Sequence, residues 1–344
     1  MRRSVAAFVL VVVIAGCGGT SAATARATIP PGATLRIAAE SLSRAGLIGN
    51  PTLFRMYAKL RGGDRSIRPG TYQLRKDLGW KGILDAVNGG KGLVRTVTIP
   101  EGYSVSQVVR VVSTRLQVPV ESVEAAVRDT AWRRRLDAPA ATLDGYLFPD
   151  TYTVSEGASA RDAISLMVKR FEQIWKPEWT ARLDTVGLSR NDVMALASIV
   201  EKEAKVPEER PVIAGVYMNR LRAGMLLQAD PTVQYALPVH QTRLLYKHLR
   251  VKSDYNTYIK KGLPPGPIAS PGRPSIIAAL YPAQVPYKYF VAFPDGHHEF
   301  RATVKQHEVA VIASRKAWAA YYKLHPDTSR AVSVAVKPKS APAR

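Results

Sequence analysis

The chain has 344 residues, 46% hydrophobic and 8% aromatic, an ordinary globular composition long enough for two domains with real cores. Forty-nine Lys and Arg against 27 Asp and Glu give a net charge of +22 and a pI near 10.2, which admits nucleic acid, anionic lipid and acidic wall polymers as partners. The basic residues are spread out with no long Lys/Arg block and no nucleic-acid motif, which sets nucleic acid aside.

Taken in order, Met1-Arg2-Arg3 is a short positive segment and Val5 to Ala15 an apolar run. Ile14-Ala15-Gly16-Cys17 then ends the run with small residues before the only cysteine. This is the pattern of an exported bacterial lipoprotein, with residues 1–17 as signal segment and Cys17 as the lipidated residue. Two or three acyl chains there hold a protein to a membrane. The apolar run is shorter than the ~18–20 residues of a spanning helix; an uncleaved single-pass anchor is the alternative. Either one leaves the body on the outer, extracytoplasmic side. With Cys17 carrying lipid, the mature chain has no disulfide. Residues 18–33, GGTSAATARATIPPGA, are small, polar and proline-interrupted and read as a flexible tether.

Residues 34–93 form a small unit with helices over Leu35–Ala45 and Pro51–Arg61, a strand over Thr71–Arg75 and a helix over Trp80–Val87. Val94–Ile99 alternates as a strand, Ser104 caps a helix to Leu116, and another helix runs from Glu121 to Arg135. In DGYLFPDTYTV, residues 144–154, the spacing of Tyr146, Phe148 and Tyr152 suits a strand with one buried face. The same rings also suit stacking on sugars, and the sequence leaves both open. Ala160–Trp175 is an amphipathic packing helix.

The stretch LSRNDVMALASIVEKEAKVPEERPVIAGVYMNR, beginning at Leu188, carries the densest chemical signal. Ser189 with Asp192 three residues on starts a helix whose Val193, Leu196, Ala197, Val200 and Ala204 make one stripe. At about 100° per residue, Glu201 and Glu203 border that stripe on opposite shoulders. Val206-Pro207 stops the helix, and a second runs from near Glu208 to Gly224. A carboxyl beside apolar neighbours has a raised pKa and suits a general acid; two solvated helix-flank glutamates are the plainer alternative. Further on, Asp230 precedes Pro231 as a helix cap, a Pro/Gly-rich loop spans residues 262–274, and a helix follows from Pro274 to Leu280. A hairpin is expected over Tyr287–Phe293 and Glu299–Val304. The histidines His297, His298 and His307 with Glu299 raise a metal reading, which the absence of HExxH spacing or a cysteine partner argues against. Val304–Leu324 is a closing helix, and residues 325–344 are a polar, disordered tail.

Six segments, ASIVEKEAKVPEERPVIAGVYMNRL, LQADPTVQYAL, YNTYIKKGLPPGPIASPGRPSIIAAL, YKYFVAF, DGYLFPDTYTV and TIPEGYSVSQV, together resemble the YceG-like (MltG) endolytic murein transglycosylases between Leu35 and Tyr322. Several long motifs at compatible spacing are far more specific than one short pattern. The resemblance implies an α+β fold, with a small LysM-like αβ unit over residues 34–93 followed by a larger mixed α+β catalytic domain over 94–324. Of the latter, 94–180 is an upstream part and 181–324 the active-site part. The implied reaction cuts the β-1,4 bond between N-acetylmuramic acid and N-acetylglucosamine without water, leaving 1,6-anhydro ends that terminate strand elongation. It implies Glu201 as catalytic acid and base, with Glu203 and Asp230 as auxiliary groups. Asn219, Gln228, Asn256 and Tyr258 are expected to line the glycan groove. No cofactor or metal is called for. The implied partners are peptidoglycan strands, the membrane through the N-terminal lipid or anchor, and peptidoglycan synthases. A non-catalytic peptidoglycan-binding envelope lipoprotein is the competing reading, and it requires Glu201 to be dispensable.

Overall fold

The structure, a computed structural model, describes residues 23–63, 67–138, 142–242 and 244–325. The expected signal segment with Cys17, residues 18–22 of the tether and residues 326–344 of the tail lie outside them. The architecture is mixed α+β. The chain divides into two compact units, residues 1–94 and 95–344.

The first unit corrects the tether. Thr24–Ile29 is a strand, β1, antiparallel to β2 (Gly70–Arg75) at six paired positions from Thr24↔Arg75 to Ile29↔Gly70. Small side chains in TARATI suggest a linker, but the alternation that buries Ala27 and Ile29 is that of a one-faced strand. Between the two strands lie α1 (Leu35–Arg44), with Thr34 as N-cap, and α2 (Pro51–Leu60), with Asn50 as N-cap and proline at its first position. After β2 come α3 (Gly79–Gly89) and the start of β3 (Leu93–Thr98), whose Leu93 and Val94 pair with Tyr72 and Thr71. Leu42, Phe54, Tyr72 and Ile83 fill the core. The buried Tyr72 hydroxyl donates to the Arg68 and Val87 carbonyls.

In the second unit, the end of β3 lies beside β4 (Thr151–Ser155), tied by the Ile99 amide to the Asp150 carbonyl at 2.9 Å. Ser104 and Gln107 form a capping box for α4 (Val105–Leu116). The expected single helix over 121–135 is two, α5 (Val120–Arg128) and α6 (Thr130–Leu136). Asp129 interrupts it, adopting non-helical angles while its carboxylate accepts from the Ala131 amide to cap the second piece. Then follow α7 (Ala160–Ile174), α8 (Pro177–Val186), α9 (Arg190–Glu203), α10 (Arg210–Arg222), α11 (Asp230–Ala236) and α12 (Arg273–Leu280). A hairpin of β5 (Tyr289–Ala292) and β6 (His298–Arg301) and the long α13 (Val304–Leu324) complete the unit. Among the described residues no helix is long and apolar enough to cross a membrane.

Helix α9 is central. The sequence suggests one buried stripe, yet Asn191 and every residue from Val193 to Val200 are buried. A helix apolar all round is enclosed all round; α8, α10, α11 and α12 pack against it. Its buried Ser198 hydroxyl donates to Ala195 O and accepts from the Ile268 amide, at 2.7 and 3.0 Å, so the Pro/Gly-rich loop is pinned to the helix.

The DGYLFPD segment turns out to be a corner of this core. Tyr146 and Leu147 are fully buried and Phe148 and Tyr152 nearly so, which decides for core over sugar stacking. The buried Asp144 carboxylate accepts from the Val105 amide at 2.7 Å and the Tyr235 hydroxyl at 2.8 Å. Gly145 has φ +83°, and a Cβ there would lie 2.5 Å from Pro267 Cγ.

Candidate active site

Helix α9 starts from a Ser189/Asp192 capping box and ends at Ala204, whose extended conformation releases the chain before Pro207. Glu201 and Glu203, two residues apart near that end, project to different sides of the helix, as a 200° separation requires. Their surroundings differ in kind.

Glu201 is engaged with α12. Its Oε2 accepts from the Gly272 amide at 3.1 Å and the Ser275 hydroxyl at 2.7 Å. Gly272 is the N-cap of α12, so the carboxylate sits where the helix dipole and its orphan amides favour an anion. Arg210 Nε donates to the same Ser275 hydroxyl at 3.1 Å. Glu101, from the loop after β3, closes the far side: a Cβ on residue 272 would lie 2.0 Å from Glu101 Oε1, so a larger residue there would push the Glu101 carboxyl aside. Partial burial, followed by the negative charge of Glu201, raises the Glu101 pKa. Lys202 Nζ reaches the Gly102 carbonyl at 3.3 Å.

Glu203 faces a different group. Its Oε1 accepts from the Tyr217 hydroxyl on α10 at 2.9 Å. Burial, reinforced by the charge of Asp230, pushes its pKa up from 4.5 to about 7, against the hydrogen bond from Tyr217 and the cations Arg220 and Lys205. Asp230, at the start of α11, accepts from the Tyr258 hydroxyl, and burial raises its pKa too. The plainer alternative for Asp230, a helix cap, does not hold: the N-cap is Ala229, and the Asp230 side chain turns to Tyr258. Arg220 is buried and held by its Nε to Lys288 O and its Nη1 to Leu227 O at 2.6 and 2.7 Å.

The expected groove residues divide. Asp230 and Tyr258 join the Glu203 cluster. Asn219 donates from Nδ2 to the Val285 and Tyr287 carbonyls at 2.7 and 2.9 Å, securing the chain before β5. Asn256 is fully buried, with Nδ2 on Leu249 O and Val251 O and Oδ1 on the Tyr258 amide. A groove-lining role for Asn256 is therefore corrected: with no exposed surface it knots the loop that presents Tyr258. Gln228 is exposed at φ +51°, its amide bonded to Thr257 O.

The histidines serve other ends. His298 pairs with Glu209 at 2.6 Å in a nearly dry contact, His297 with Asp295 at 2.5 Å, and His307 stacks on Tyr289. No group of three metal-ligating side chains occurs among the described residues. Two shallow surface concavities of about 710 and 670 Å³ run along α8, lined by none of the residues of either glutamate cluster.

Sequence reasoning passed over Tyr217, Arg220, Glu101 and Ser275. Tyr217 and Arg220 are three residues apart in a helix, a spacing that puts two polar side chains on one face. Glu101 lies inside a quoted segment, and nothing in its spacing connects it with a residue 100 positions later.

The YceG-like family model matches residues 27–313 of the chain. An endolytic murein transglycosylase of Bacillus subtilis (strain 168) is 32% identical over 306 residues, which span 84% of each chain. One from Streptococcus pneumoniae serotype 2 (strain D39) is 29% identical over 296 residues, 77% of this chain and 53% of that one. The 2.6 Å crystal structure of a yceG-like protein from Listeria monocytogenes is similar in fold, with a TM-score of 0.60 and 31% identity, covering 83% of this chain and 98% of that one.

Proposed function

The chain belongs to the YceG-like family, and from that premise we propose that it is an endolytic murein transglycosylase. It cuts the β-1,4 bond between N-acetylmuramic acid and N-acetylglucosamine in nascent strands and leaves 1,6-anhydro ends. The observation that carries the chemistry is the Glu203 cluster: one carboxyl whose pKa is lifted to about 7 beside a second carboxylate and two tyrosine hydroxyls.

Lytic cleavage needs a group that gives a proton and then takes one back. Protonated Glu203 donates to the glycosidic oxygen as the C1–O bond breaks; the resulting carboxylate accepts the proton of the muramoyl C6 hydroxyl as its oxygen closes on C1. No water enters. The Tyr217 hydroxyl occupies Oε1, leaving Oε2 to carry the transferable proton. Asp230 supplies negative charge beside the cationic transition state and keeps Glu203 protonated near neutrality. Glu201, the residue the resemblance implies, has one carboxylate oxygen engaged at the start of α12; the raised pKa of Glu203 beside Asp230 and Tyr217 is what makes Glu203 the acid in this proposal. Mass spectrometry of muropeptides released from purified peptidoglycan tests the activity. Anhydro-ended products support it, while reducing-end products would establish hydrolysis instead.

The pKa causes give a second test. The acid works protonated, so kcat/KM falls as pH rises through about 7. Asp230 raises the Glu203 pKa and Tyr217 lowers it. Asp230→Asn therefore moves the fall-off to lower pH, and Tyr217→Phe moves it to higher pH. Two shifts in the same direction would remove Glu203 as the titrating group. The stability sign is that of a raised carboxyl: its contribution is full below about 4.5 and is lost as pH rises through about 7.

For the first unit, the order strand, helix, helix, antiparallel strand supports a LysM-like reading with wall contact. The Arg2-Arg3 segment, apolar run and Cys17 support membrane anchoring by lipid or by a single span, with the body on the outer side. Peptidoglycan synthases are the partners this placement favours.

A further inference from the structure

The first unit carries an apolar face that no other described residue covers. On α2, Leu53, Met56 and Leu60 are 50%, 58% and 87% exposed, and their i, i+3, i+7 spacing sets them in one stripe. Phe54 and Ala58, on the opposite side, are in the core. The basic Arg55 and Lys59 flank the stripe, and Arg61 continues it over the Tyr57 ring. Between residues 23 and 94 there are 12 Lys and Arg against four Asp and Glu. An apolar ridge with a basic flank suits an anionic bilayer surface, into which such helices press their apolar side.

The chain path supplies the second reason. The Ala23 carbonyl accepts from the Lys76 amide at 2.9 Å, and the Lys76 side chain ends 3.9 Å from where a Cβ on Gly46 would stand. Gly46 belongs to the loop that leads into α2. The chain therefore leaves toward its N-terminal segment beside Lys76, whose side chain reaches the loop that leads into α2. Because β1 begins at Thr24, Cys17 is joined to the folded unit through six intervening residues, a reach of at most about 25 Å. A unit held that close has a surface to rest on.

We propose that the Leu53/Met56/Leu60 face of α2 docks on the anionic lipid surface next to the N-terminal anchor, with Arg55 and Lys59 at the headgroups. This rests on the anchor proposed above and not on the assignment of the catalytic glutamate.

The test uses the full chain carrying an environment-sensitive fluorescent amino acid in place of Leu60 or, for comparison, of the likewise exposed Val309 on α13. Each protein is floated with protein-free phosphatidylglycerol vesicles. The expected result is a blue-shifted emission at position 60, quenched by brominated lipid and reduced in phosphatidylcholine vesicles or high salt, with position 309 unchanged. A chain that floats while position 60 remains as accessible to iodide as position 309 overturns the docking and leaves the anchor standing. A chain that does not float overturns both. A shift found in whole envelopes and absent from the vesicles overturns the lipid in favour of a protein partner.

Discussion

Glutamine at position 203 is expected to lower kcat by about 10²–10⁴-fold with little change in KM, the range for removing a positioned proton donor. The substitution keeps shape and the bond from Tyr217 and removes only the transferable proton. Glutamine at 201 is expected to keep activity within about tenfold, since a neutral amide oxygen still accepts from the Gly272 amide and the Ser275 hydroxyl. Steady-state release of anhydro-ended muropeptides, measured for both variants beside the parent, decides between the carboxyls. A Glu201→Gln protein without activity beside an active Glu203→Gln protein would return the acid role to Glu201.

Alanine at position 145 is expected to cost about 2–5 kcal/mol of stability, from two independent sources. The φ of +83° costs a residue with a Cβ about 1–2 kcal/mol, and overlap with Pro267 at 2.5 Å adds about 1–3 kcal/mol of overpacking. For a unit of this size that lowers Tm by roughly 10 °C. Calorimetry on the full chain measures it, and a Tm within the error of the parent would show that the corner relaxes freely.

Much of the fold was legible where local chemistry was strong. The Ser189/Asp192 capping box, the opposed glutamates and the closing helix over Val304–Leu324 are read from short-range spacing, and the structure has them. What escaped depended on partners distant in sequence. Thr24–Ile29 looks like linker until β2 arrives some 40 residues later to pair with it. The difference in surroundings between Glu201 and Glu203 is invisible in VEKE, because it lies with Ser275 and Gly272 on one side and with Tyr217 and Asp230 on the other. Asn256 shows the same limit: a polar residue in a loop reads as a ligand contact, and only the Leu249 and Val251 carbonyls reveal that its valences are filled.

The pairing of β1 also decides how the protein bears load. On the anchoring proposed above, an enzyme held at one end by a membrane and at the other by a growing wall is pulled whenever the two separate. Tension enters β1 at Thr24 and leaves along β3 toward the second unit, and β2 lies antiparallel to both. The two ends are thus drawn in opposite directions along the strand axes, so the rungs between β1 and β2 are strained together in shear and do not peel apart one by one. On that proposal, a strand that first reads as slack would act as a mechanical clamp between anchor and enzyme.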